Sequence, residues 1–187
     1  MKYTPFIILL FFTSCLSKYY TNEGGVRVKN SKVFKYNRSR FIKMEKGLID
    51  TSAVYLMDSG YNKYGSPVWQ RSGKTFARFF GSGQVLFIYC DSFPCPNNIN
   101  NPNTGIPGYF IVKDTKVKID MYEELNGGQT GKKYGRIRPN GDIIFYDQSV
   151  KYYFGCFSCM EKAERNTRFS IWKKVPVDTI KYYQPGW

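Results

Sequence analysis

The chain has 187 residues, with 28 Lys and Arg against 14 Asp and Glu, 18% aromatics, five cysteines and no histidine. The missing histidine excludes the histidine base of Ser-His-Asp and Cys-His hydrolases and removes the commonest zinc ligand. The length supports one sizeable core, and Tyr and Phe at this density favour strands over helices.

Lys2 is the only charge before Lys18, and an apolar run follows it from Pro5 to Phe12. That run is too short for a bilayer, which needs about 20 residues. A basic start, a short apolar run and then small Thr13 and Ser14 predict a secretory signal over residues 1–14. The sequence FTSC at 12–15 resembles the lipobox of bacterial lipoproteins. That resemblance implies diacylglyceryl on the Cys15 thiol, cleavage before Cys15, and acylation (palmitate or similar) of the new amino terminus. Two or three acyl chains anchor stably where one does not. An ordinary cleaved signal, with no role for Cys15, is the plainer alternative. On the lipobox expectation the mature chain keeps 173 residues (187 minus 14) with 27 bases against 14 acids. It would sit in the cell envelope, on a bacterial outer membrane, facing the periplasm or the surface.

Residues 15–31 are polar and carry Gly24 and Gly25, the composition of a flexible tether. A single domain is then expected over 32–187. Strand character begins at Val33 in VFKYN and is clearest in TSAVYLM, Thr51 to Met57. Hairpins follow. TFARFF turns through GSG into QVLFIYC, with Gly81 and Gly83 placed to supply positive φ. YFIV turns through KDT into KVKIDMYE, where Val117, Ile119 and Met121 alternate with Lys116, Lys118, Asp120 and Tyr122. Period two predicts one face in a core and the other in water. YGRIR turns through Pro139-Asn140-Gly141 into DIIFYDQ, and RFSIWKKV supplies the last strand. MEKAERN after Cys159 predicts a minor helix near 159–166.

Between strands, Asp91 to Gly108 holds four prolines and five asparagines and reads as a long excursion without core residues. Cys90 and Cys95 flank its start, and Cys156 and Cys159 lie further on. In an exported chain four cysteines point to two disulfides, with three pairings open. A four-thiolate zinc site (CX4C with CX2C) and a CFSC redox pair at Cys156 and Cys159 are the alternatives. Glu123 and Glu124 are adjacent, so a strand sends them to opposite faces, and no carboxylate pair has glycosidase spacing. No catalytic residue, metal or cofactor is therefore assigned, and the chain is not read as an enzyme.

About eight short strands with tight returns predict an all-β fold, an antiparallel meander closed into a barrel or half-barrel. RFFGSGQV, GYFIVKDTKVKIDMY and GRIRPNGDIIFY are similar in order and pattern to the hairpins of lipocalin-like lipoproteins of the Bacteroidota type. The similarity spans about Ser52 to Trp187 and implies a barrel that can cup a small ligand. Aromatics near loops, Tyr61, Tyr64, Trp69 and Phe93, are the candidates for contacting a small molecule or glycan, against the alternative that they only cover the core. A basic surface interaction protein, drawn to an acidic partner or to the membrane itself, is the competing expectation. The bases are dispersed, which equally fits a plain soluble surface. Export argues against a nucleic acid partner, and a monomer is expected.

Overall fold

The computed structural model describes residues 18–34, 36, 48–62, 64–69, 74–91, 93, 95–123, 128–146 and 168–187. Cys15, the Cys156–Cys159 pair and the helix expected near 159–166 lie outside the described residues. The strands are β1 (Lys18–Tyr20), β2 (Val26–Val28), β3 (Ala53–Tyr61), β4 (Pro67–Trp69), β5 (Lys74–Phe79), β6 (Gln84–Cys90), β7 (Ile106–Lys113), β8 (Lys116–Glu123), β9 (Gln129–Ile137), β10 (Ile143–Tyr146) and β11 (Phe169–Pro176). One short helix, α1 (Pro96–Ile99), interrupts the β6–β7 connection.

Eight of these strands form a closed antiparallel barrel of the kind seen in lipocalin-like proteins. The order is β3, β5, β6, β7, β8, β9, β10, β11, each paired with the next, and β11 pairs back onto β3. Period-two alternation packs the interior: Val117, Ile119 and Met121 from β8 meet Phe110 and Val112 from β7, Phe79 from β5 and Trp172 from β11. The aromatic rings meet edge to face, Phe79 on Phe110 at 4.8 Å and Tyr55 on Phe79 at 5.1 Å. The barrel is tight at Gly135, where a Cβ would lie 2.7 Å from the Ile144 carbonyl oxygen and 2.8 Å from the Phe145 ring. Of the two glycines expected to turn the β5–β6 hairpin, only Gly83 has positive φ (+85°).

The outer face of the barrel departs from the sequence expectation. Lys118, Asp120 and Tyr122, expected in water, are buried at 4%, 1% and 0% exposure. The segment that covers them is the one expected to be a tether. From Lys18 onward it folds into the β1–β2 hairpin, whose Val26 and Val28 pack with Phe34, Tyr36, Tyr109 and Tyr122 against the outside of β7 and β8. The strand expected at Val33 is instead the end of a 3-10 turn, Ser31–Val33, started by the Asn30 side chain accepting from the Lys32 amide. A second outer cluster joins Val54, Phe76, Leu86 and Ile88 to the carboxyl-terminal Val177, Ile180, Tyr183 and Trp187. QVLFIYC is thus covered on both faces, which accounts for its unbroken apolar run.

The 91–108 excursion is also more ordered than its composition implies. β7 begins at Ile106, and α1 places Ile99 (1% exposed) in the second outer cluster. Two buried arginines tie the layers together. Arg27 donates to the carbonyls of Pro102, Thr104 and Gly105 and lies 4.4 Å from the Trp187 ring centre. Arg78 does the same for the carboxyl-terminal tail.

Burial of phenols sets an alkaline limit. Burial pushes the Tyr55 and Tyr36 hydroxyls up to about 12 and raises Tyr134 as well. A raised folded-state pKa contributes stability that is complete below the unfolded value near 10 and is lost as pH climbs toward 12. The melting temperature should therefore fall between pH 10 and pH 12, with phenolate absorbance rising at the same pH as unfolding. Full phenolate absorbance in a still-folded protein would contradict it.

Candidate functional site

One end of the barrel is open. The ends of β3, β6, β8 and β10 and the starts of β5, β7 and β11 surround a cavity of about 370 Å³. Its walls are apolar: Met57, Phe87, Ile106, Met121, Phe145 and Trp172. Polar atoms at its rim come from Thr75, Tyr61, Tyr146 and Ser170. Trp172 is fixed by an indole N–H donated to Ser170 Oγ at 2.9 Å, and by edge-on contact with Phe145 (5.3 Å) and Phe87 (5.7 Å). A register shift between Ile171 and Trp172, where β11 meets β3, sets its place opposite Met57. Tyr61 stacks on Phe169 at 5.1 Å and accepts from Ser59 Oγ at 3.0 Å.

Lys133 is the charged group within this wall. On β9 it shares the inner face with Gly135 and Ile137. Its Nζ lies 5.5 Å from the Phe145 ring centre, 5.7 Å from Trp172 and 5.8 Å from Phe87. Such rings attract a cation through their electron-rich faces. Arg168 adds a second cation at the rim, and the Glu123 carboxylate, on the same face of β8 as Met121, lies over Gly131, two residues from Lys133 on the inner face of β9. A wider hollow of about 670 Å³ at the other end has a mixed lining, with Leu48, Ile49 and Ile137 beside Arg138 and Asn140, and there Lys174 is paired with Asp50 at 3.6 Å.

Of the four aromatics singled out in sequence, Tyr61 alone lines the cavity among the described side chains. Tyr64 is 80% exposed in the turn after β3. Trp69 pairs through its backbone with Gly60, and its side chain is outside the described atoms. Phe93 packs edge-on against Phe76 at 5.9 Å in the second outer cluster and is not among the residues that line this cavity. Cys90 and Cys95 carry free thiols side by side. Burial first, and hydrogen bonding to Cys90 second, push the Cys95 thiol up to about 12, which makes it a poor nucleophile at neutral pH.

Sequence reasoning passed over Lys133, Phe87, Phe145 and Trp172. The alternation Gly131, Lys133, Gly135, Ile137 was a usable signal, since it puts a lysine on the face that ends in a core isoleucine. No family model matches the chain, and neither the curated proteins nor the solved structures give a significant match. Its function is therefore argued from the mouth of the barrel.

Proposed function

We propose that this protein is a non-enzymatic binding module that holds a small, largely apolar molecule in the mouth of its barrel. The observation that carries this reading is the cavity itself: about 370 Å³, open at one end and walled by Phe87, Phe145, Trp172, Met57 and Met121. Ligand sites are commonly concave and apolar with a few placed polar groups, and barrel mouths are a frequent location. On the same proposal Cys15 is lipidated and the barrel belongs to the cell envelope. Lys18, where β1 starts, is only three residues past Cys15. The anchor would then lie within roughly 10 Å of the folded body, at most about 3.5 Å per residue. Intact mass of the protein from its native host should show the loss of residues 1–14 and added acyl mass.

The binding claim is tested with N-phenylnaphthylamine, a neutral dye that brightens in apolar surroundings. Saturable binding at one site is expected, and Met121→Trp, which fills the mouth, should abolish it without lowering the melting temperature. Dye fluorescence that never saturates, or that is unchanged by Met121→Trp, would defeat the proposal.

A further inference from the structure

Resting on that reading of the mouth, we infer that its rim is a membrane-docking surface, which seats on an anionic phospholipid bilayer and turns the cavity toward the lipid. The first observation is where apolar surface is left in water. The described residues leave six large apolar side chains exposed: Tyr19, Tyr20, Tyr64, Val68, Tyr89 and Tyr182. Three of them, Tyr64, Val68 and Tyr89, stand at the open end. Val68 lines the cavity itself, and Tyr89 is paired in register with Thr75, another lining residue. Tyr64 stands in the turn that follows Tyr61 of the lining. That turn is a built one: Asn62 Oδ1 accepts from the Tyr64 and Ser66 amides, both at 2.9 Å. Tyr182, by contrast, belongs with Gly81 and Ser82 at the far end. Tyrosine has an apolar body and a polar tip, and it is enriched where a membrane meets water. Such side chains gathered around one opening mark an interaction surface, where single scattered ones would not.

The second observation is where the chain enters the folded body. The description begins at Lys18, whose Nζ lies 5.9 Å from the ring centre of Tyr122, one residue before the mouth end of β8. In the same β1–β2 hairpin, Val26 donates its amide to the carbonyl of Gly105, next to Ile106 of the lining. Cys15 precedes Lys18 by three residues. Acyl chains on it would enter a bilayer within roughly 10 Å of Lys18, at most about 3.5 Å per residue. An anchor leaving from this end brings the mouth, and not the far end, against the membrane. The third observation is charge. Arg168 and Lys18 share this end with Asp91 and Glu123, so the rim itself carries both signs. The whole chain has 28 bases against 14 acids, which draws it to anionic headgroups, while the rim side chains set the face that lands. A second copy of the chain is the poorer occupant, because it would meet the same excess of positive charge.

Co-sedimentation with mixed phosphatidylcholine and phosphatidylglycerol vesicles at physiological salt tests the inference. The full mature chain is made without acyl groups, so that only its own surface can hold it to lipid. Saturable binding to the vesicles is expected. Tyr64→Ser and Tyr89→Ser should each weaken it by about threefold, and together by about tenfold, as interfacial aromatic area is lost. Tyr182→Ser removes an equally exposed tyrosine from the far end and should change binding by less than about twofold. Each variant should still bind N-phenylnaphthylamine when no vesicles are present, which shows the barrel and its mouth intact. An unchanged double variant overturns the inference and assigns any vesicle binding to the basic charge of the whole surface. An equal loss in Tyr182→Ser overturns it as well. So does a chain that ignores vesicles, whether it sediments as a monomer or as a dimer, and saturable dye binding then leaves the binding module standing. Failure of the parent chain to bind the dye removes that module, whatever the vesicles show.

Discussion

Arg78→Met should destabilise the protein by about 3 kcal/mol and free the carboxyl-terminal tail before the barrel opens. Arg78 leaves the outer face of β5 and is only 1% exposed. Its guanidinium donates to the carbonyl oxygens of Ile99, at the end of α1, and Lys181, in the tail, and to Asn100 Oδ1 at 3.2 Å. The rings of Phe80 and Tyr183 lie on it, each 4.8 Å from the guanidinium carbon. Asn100 extends the clasp by donating to the Thr179 carbonyl and accepting from the Lys181 amide, both at 2.8 Å. Burial lowers the arginine pKa from its ordinary value, and nearby acceptor oxygens offset the cost of carrying the charge inside. Methionine preserves the stem but leaves the buried Ile99 carbonyl without this donor, at about 1–3 kcal/mol, and strips the partly buried Lys181 carbonyl of its tie to the barrel. Against a total stability of about 5–15 kcal/mol that is a large fraction. Arg78→Lys should rescue little, because an ammonium cannot fork between Ile99 and Lys181. Urea titration gives the loss, and limited proteolysis should cut within 177–187 while strand circular dichroism persists. A loss under about 0.5 kcal/mol, the scatter of ordinary surface changes, would mean that the clasp does not hold the tail.

The barrel was legible where pairing is local. Asp114 turns β7 into β8 at positive φ (+53°), and Gly141 turns β9 into β10 (+86°), each within a few residues of the strands it joins. Closure of β11 onto β3 was not legible, because alternation reveals which face of a strand is apolar but not which distant strand will lie beside it. The same limit explains Lys118 and Asp120. Their polarity marks a solvent face, yet residues 18–34 and Tyr36, remote in sequence, are folded over it. Tyr61 could be found as an aromatic beside a turn. Phe93 met the same description but packs against Phe76 in the wall. Lys133 carried the opposite disguise, a charge in a strand whose alternation already assigned it to the interior. In each case the local signal was sound, and what it lacked was the partner that tertiary structure supplied.

Trp172→Ala should be the most damaging change inside the barrel, costing about 3–5 kcal/mol. Trp172 is 2% exposed and is shared between the packed core below and the cavity above. It contacts Phe87 and Phe145 edge-on, and its indole N–H is satisfied by Ser170. Removing the indole deletes these ring contacts and joins its volume to a cavity of about 370 Å³, and that larger void cannot collapse because β11 is clamped between β10 and β3. The loss therefore lies at the upper end for a large-to-small change. Trp172→Phe keeps a ring in the wall and supplies the milder comparison. Because the indole lines the mouth, a bound aromatic dye should quench tryptophan emission in the parent protein, and that quenching should largely vanish in Trp172→Phe while the dye still binds. Undiminished quenching in Trp172→Phe would mean that the dye quenches another tryptophan, Trp69 or Trp187, and does not sit against Trp172.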